Sequence, residues 1–231
     1  MSKLTFISDE NLYRHTQAVI DVIKGSLEAS EEEFFKNSVD PFSAVFDATS
    51  RGITLTEWKE DEKSRQAQKT LQNAIGEFHQ GILGSVHGWE DLEKGNVIDL
   101  KNDERQIIAE VKNKHNTTKG NHKKAIYDDL AGQLASTYQG YTGYYVEVIP
   151  QNKKVYDKPF TPSDNETHAR RPENESIRVI DGKSFYALAT GEVDALKNLY
   201  QALPEVINDI LGTAFDFTQD ETFLELFERI Y

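Results

Sequence analysis

The chain has 231 residues, 26 basic and 39 acidic side chains for a net charge of -13, and no cysteine. That length suits one large domain with a sizeable core, and the lack of thiols excludes disulfides, thiolate zinc sites and cysteine nucleophiles. No segment approaches the roughly 20 apolar residues of a membrane span and no long apolar run follows Lys3, so a soluble, cytoplasmic protein with no membrane partner is expected.

The acid lies at the two ends. Residues 1–63 carry 7 basic and 13 acidic side chains, residues 64–190 carry 17 of each, and residues 191–231 carry 2 and 9. These limits also divide the expected single domain into a helical N-terminal part, a core over about 64–191 and a helical C-terminal part. In chain order, "ENLYRHTQAVIDVIKG" and "FSAVFDAT" place apolar residues at helical spacing, and a longer helix over about 64–83 aligns Leu71, Ala74, Ile75, Phe78 and Ile82 before Gly84 and Gly88. A hairpin follows in "GNVIDLKNDERQIIAEVKNKHN". Ile126, Leu130, Leu134 and Tyr138 then step along another helix, and "YTGYYVEVIP" reads as a strand rich in Tyr and Val. Residues 151–175 hold three of the six prolines and almost no periodicity, which predicts a long loop. "SIRVID" resumes as a strand, "GKSFYALATG" as a short helix closed by Gly191, and a C-terminal stripe of Leu196, Leu199, Leu203, Ile207, Ile210 and Leu211 surrounds Pro204, a potential kink. Strands separated by helices predict an α/β sandwich around a mixed central sheet flanked by helices.

Pairing Asn102 with Ile107 leaves a four-residue loop, Asp103 to Gln106, and sets Asp99 opposite Glu110. Side-chain alternation then gives Val97, Asp99, Lys101, Ile108, Glu110 and Lys112 one face, the chemical one, and Ile98, Leu100, Ile107, Ala109 and Val111 the other, the core. Opposed residues have Cβ atoms about 4.5–5.5 Å apart, and two carboxylates that close repel unless one is protonated or a cation lies between them. Oxygen ligands suit Mg²⁺, and Lys112 can reach a bound water or a phosphate. The bland alternative is a turn aspartate beside the solvated face of an edge strand.

"VID" followed by "EVK", with the glutamate 11 residues after the aspartate, resembles the active-site hairpin of the PD-(D/E)XK nuclease superfamily. The preceding "LQNAIGEFHQGILGSVHGWE" and the later "DGKSFYALATG" resemble type II restriction endonucleases that cut GGNCC-type palindromes. Ile98 stands where the proline of the motif's name is found. The resemblance implies a restriction-endonuclease-like fold, with Asp99 and Glu110 as metal ligands, Lys112 as the catalytic lysine, and Glu77 as a further carboxylate lent by a neighbouring helix. The Val111 carbonyl is a further ligand candidate. The implied cofactor is Mg²⁺, and the implied partners are double-stranded DNA, a second copy of the chain and a cognate DNA methyltransferase of the same system.

The basic run "KNKHNTTKGNHKK" is either a solvated loop or a phosphate track built on Lys114, Lys119, Lys123 and Lys124. Lys158, Asn165, His168, Arg170, Arg171 and Asn174 in the long loop are side chains suited to base edges, although 6 acidic residues between 151 and 183 nearly balance 7 basic ones. His79 is a phosphate contact or, more simply, a boundary histidine. His115 and His122 invite a His-Asn-His nuclease, which lacks a strand-helix frame here. A noncatalytic DNA-binding protein and a structure-selective repair or junction nuclease are the competing functions.

Overall fold

The computed structural model describes residues 2–28, 30–92, 95, 97–117, 120–164, 167, 169–217 and 220–231. The chain forms two compact units, Gln17–Ile75 and a larger one joining Met1–Thr16 to Gly76–Tyr231. None of the described helices is long and apolar enough to cross a membrane.

The smaller unit is helical: the C-terminal part of α1 (Asp9–Leu27), then α2 (Glu31–Lys36), α3 (Pro41–Arg51) and most of α4 (Leu55–Gly84). Short-range chemistry sets these helix starts. Ser30 and Glu33 form a reciprocal capping box on α2, Thr54 and Glu57 do the same before α4, and Asp40 caps α3 with Pro41 in its first turn. The helix expected over about 64–83 covers the last two-thirds of α4; the charged, mostly exposed first turns carry no such stripe.

The larger unit holds a six-stranded mixed sheet in the order β1-β2-β3-β4-β6-β5. Its strands are β1 (Glu90–Asp91), β2 (Leu100–Asn102), β3 (Ile107–Lys114), β4 (Thr142–Ile149), β5 (Asp157–Pro159) and β6 (Ile177–Asp181). β3, β4 and β6 run parallel, and the other pairings are antiparallel. One face is covered by α5 (Gly120–Ala135): Ile126, Tyr127 and Leu130 pack with Ile108, Tyr145, Ile177, Val179 and Phe160. The other receives α6 (Gly182–Thr190), whose Phe185 meets Tyr144 and Trp89. Gly182 makes this approach possible, since a Cβ there would lie 2.3 Å from the Val148 carbonyl oxygen. Gly191, at φ 80°, closes α6 as its left-handed cap. α7 (Ala195–Leu211) continues through Pro204, and α8 (Glu221–Ile230) follows.

Three expectations change. The hairpin has no single core face, because α5 buries Ile108 on the side that also carries Glu110 and Lys112. Ile98 joins Ile108 in that cluster although strand alternation assigns it to the opposite side; residues 97–99 are bends that precede β2, so the two-residue period does not extend to them. The predicted structureless loop holds β5 and a bridge between Ser163 and Arg170. Pro159 is tolerated there because β5 is an edge strand.

Candidate active site

The hairpin register is the expected one, with Asn102 opposite Ile107 and Leu100 opposite Ala109. Asn102 is buried, its Oδ1 accepts the Arg105 amide at 2.8 Å, and Gln106 takes φ 53° to complete the turn. Asp99 sits one residue before β2. Its amide donates to the Ala109 carbonyl at 3.0 Å, and its Oδ2 accepts the Val111 amide at 2.7 Å, so the carboxylate is oriented by the backbone of β3.

Glu110 and Lys112 project from β3 on one side. The Lys112 ammonium lies 2.5 Å from Glu110 Oε1 and 3.9 Å from Asp99 Oδ2. Burial, then the neighbouring charge of Asp99, raises the Glu110 carboxyl to about 7, and Lys112 offsets part of that rise. Two adjacent carboxylates, one of them pushed towards protonation, are a donor set that a hard divalent cation relieves. Asp99, Glu110 and the Val111 carbonyl therefore fit Mg²⁺, although among the described residues no three acidic or imidazole groups gather as a ready metal set.

Glu77 is exposed on α4, next to Gly76, whose Cβ position would be 3.8 Å from Asn113 on β3. His79 is half-buried, a boundary histidine as expected: its Nδ1 lies 2.8 Å from the Tyr186 hydroxyl, and burial lowers it to about 4. His115 follows β3 and His122 stands exposed in the first turn of α5, so their surroundings are the β3–α5 connection rather than a frame of their own.

Among the DNA-contact candidates, Lys114 ends β3, while Lys119, Asn165 and His168 lie outside the described residues. Lys123 pairs with Glu147 at 2.5 Å, Lys124 with Asp164 at 2.6 Å and Arg171 with Asp128 at 2.6 Å. Tyr127 donates to the Pro172 carbonyl at 2.9 Å and its ring meets Phe160, so the loop lies across α5 on the Glu110 side of the sheet. Lys158 stands 5.7 Å from the Tyr156 ring centroid, Arg170 is exposed beside its bridge, and Asn174 Oδ1 accepts the Ser176 amide at 2.9 Å. Sequence reasoning misses Glu147, a buried acid whose two oxygens accept from Lys123 and from the Tyr156 hydroxyl. The available signal is one charged residue in the otherwise apolar "YYVEVI".

A mixed sheet flanked by helices, with two acids and a lysine gathered where β2 meets β3, is a restriction-endonuclease-like fold. The model of the Eco47II restriction endonuclease family matches residues 4–212. The chain is 41% identical over 239 aligned residues to the type II restriction enzyme Eco47II of Escherichia coli, with both chains covered in full. It is 31% identical over 214 residues to the type II restriction enzyme Sau96I of Staphylococcus aureus, covering 91% of this chain and 82% of that one. The chain belongs to the Eco47II restriction endonuclease family.

Proposed function

We propose that this type II restriction enzyme hydrolyses both strands of double-stranded DNA at a short GGNCC-type palindrome, depends on Mg²⁺, and does so from the Asp99–Glu110–Lys112 hairpin of a PD-(D/E)XK nuclease. The observation that carries this reading is the convergence of two carboxylates on one ammonium group, that of Lys112, which lies 2.5 Å from Glu110 Oε1 and 3.9 Å from Asp99 Oδ2.

Asp99, Glu110 and the Val111 carbonyl would hold Mg²⁺, which polarises a scissile phosphate and acidifies an attacking water. The protein's own groups do the rest. The Val111 amide keeps Asp99 aimed into the site. Lys112 would orient the attacking water and neutralise charge growing on the phosphoryl oxygens. Glu77 serves as an outlying carboxylate of the same site. Lys114 and Lys124, with Lys119 between them in the chain, lead the phosphates towards the cut and supply affinity without sequence information. Arg170 and Arg171, with Lys158, Asn165, His168 and Asn174, supply the base contacts, and Arg171 must leave Asp128 to do so. The enzyme acts in the cytoplasm as a homodimer matching the two-fold symmetry of its site, alongside a methyltransferase that protects host DNA.

Digestion of bacteriophage DNA with Mg²⁺ tests the reading. Discrete limit fragments whose sequenced ends share one palindrome are expected. Intact linear DNA, or cleavage confined to forked substrates, contradicts it.

A further inference from the structure

Lys123 has the sequence context of a phosphate track but not its structure. A residue that only follows the backbone of DNA works from a solvated, mobile stem. The Lys123 ammonium is instead held at 2.5 Å by Glu147 and lies 5.5 Å from the Tyr145 ring centroid. The strand register shows where that is. β3 and β4 run parallel with Glu110 beside Tyr145 and Lys112 beside Glu147, so the two side chains that flank Lys123 are the lateral neighbours of the two charged residues of the hairpin. Neighbouring strands lie about 4.8 Å apart, and in-register residues point to the same face. α5 thus delivers a second ammonium group to the row next to Lys112.

The support beneath it is closed. Glu147 is 5% exposed, and its second oxygen accepts the Tyr156 hydroxyl. Tyr156 is fixed in turn, its amide donating to Asp181 Oδ2 at 2.8 Å and its carbonyl accepting the Asp181 amide at 3.0 Å. A buried ion pair is a weak source of stability, because desolvation offsets most of its attraction. It is a good way to fix where a charge points. The Lys123 side chain nevertheless keeps 28% of its surface exposed, enough for a phosphate oxygen to reach it.

We infer that Lys123 is a second cation of the cleavage site, touching the phosphate that is cut, and that Glu147 and Tyr156 are the positioning residues that hold it there. This rests on the hairpin being the cleavage site. Lys123 then stabilises charge that develops during hydrolysis, rather than adding to affinity alone.

The test separates rate from binding. Single-turnover cleavage at saturating protein is measured in Mg²⁺, and binding to cognate and unrelated duplexes in Ca²⁺, with a thermal melt as control. Lys123→Ala is expected to cut about 30- to 300-fold more slowly, while cognate binding changes less than about threefold. Lys123→Arg, which keeps the charge, should cut faster than Lys123→Ala. Tyr156→Phe, which leaves the ion pair in place, should slow the cut about three- to tenfold at an unchanged melting temperature. Wild-type single-turnover rates in Lys123→Ala and Tyr156→Phe overturn the inference, as does an equal loss of binding on both duplexes with an unchanged rate. Lys112→Ala distinguishes the two readings: if it still cuts, the hairpin assignment itself falls; if it is inactive while Lys123→Ala cuts normally, only the second cation is lost.

Discussion

At the scale of single residues, Glu110 is where the metal-free protein bears a cost. Its carboxyl is raised from 4.5 to about 7, so the folded chain holds that proton more tightly than the unfolded chain does. Stability of the metal-free protein therefore falls as pH rises through that window, and the loss is complete above it. Glu110→Gln removes the titration. In excess chelator at pH 8 the variant should melt above wild type by the equivalent of about 1–3 kcal/mol, converge with it near pH 4.5, and gain nothing from Mg²⁺. A wild-type melt that is flat between pH 4.5 and 8 contradicts this. Glu110→Gln and Lys112→Ala should each lower cleavage by at least about a thousandfold with the fold intact by circular dichroism, since neither residue belongs to the apolar cluster under α5.

At the scale of elements, loop and helix should fail differently. Arg170→Ala or Arg171→Ala is expected to weaken discrimination between the cognate duplex and one altered by a single base pair by roughly 1–3 kcal/mol. Lys124→Ala should weaken both complexes alike and reduce the slope of log K against log salt by about 0.9 per protomer. Equal behaviour of the arginine and lysine variants would remove base reading from the loop. On the opposite sheet face, Gly182→Ala drives a Cβ into the Val148 carbonyl and should cost about 3 kcal/mol, seen as a melting point lower by roughly 5–10 °C. The hairpin was legible because Ile107–Val111 and the turn at Asp103–Gln106 fix one another locally, and α6 because Asp181 and Gly191 mark its ends. What escaped was nonlocal. No periodicity reports that Ile98 leaves the strand pattern, that β5 finds an edge to pair with despite Pro159, or that Lys123 meets Glu147, 24 residues away. The six-residue α2 is too short to display a repeat, and its capping box was its one local mark.

At the scale of the whole molecule, the net charge of -13 is a poor guide to partners. The acidic residues concentrate in the terminal segments, whereas the site and its surrounding lysines fall in the balanced middle. A homodimer is expected at cleavage concentrations; light scattering that gives a mass near 26.3 kDa throughout would exclude it. Ca²⁺ in place of Mg²⁺ should preserve specific binding and suppress hydrolysis, because the larger ion accepts looser oxygen geometry. Robust cleavage in chelator would remove the metal from the reaction.

The hydrogen bond from the Val111 amide to Asp99 Oδ2 gives the enzyme a built-in reporter. That proton reads the charge on the Asp99 carboxylate from one backbone position inside β3. If a divalent ion bound to Asp99 it would draw electron density from the carboxylate and weaken the bond, and the amide resonance of Val111 should then move upfield while distant strand amides stay still. Occupancy of the site could thus be titrated in the intact protein without DNA and without turnover, separating the step of loading the enzyme from the step of cutting.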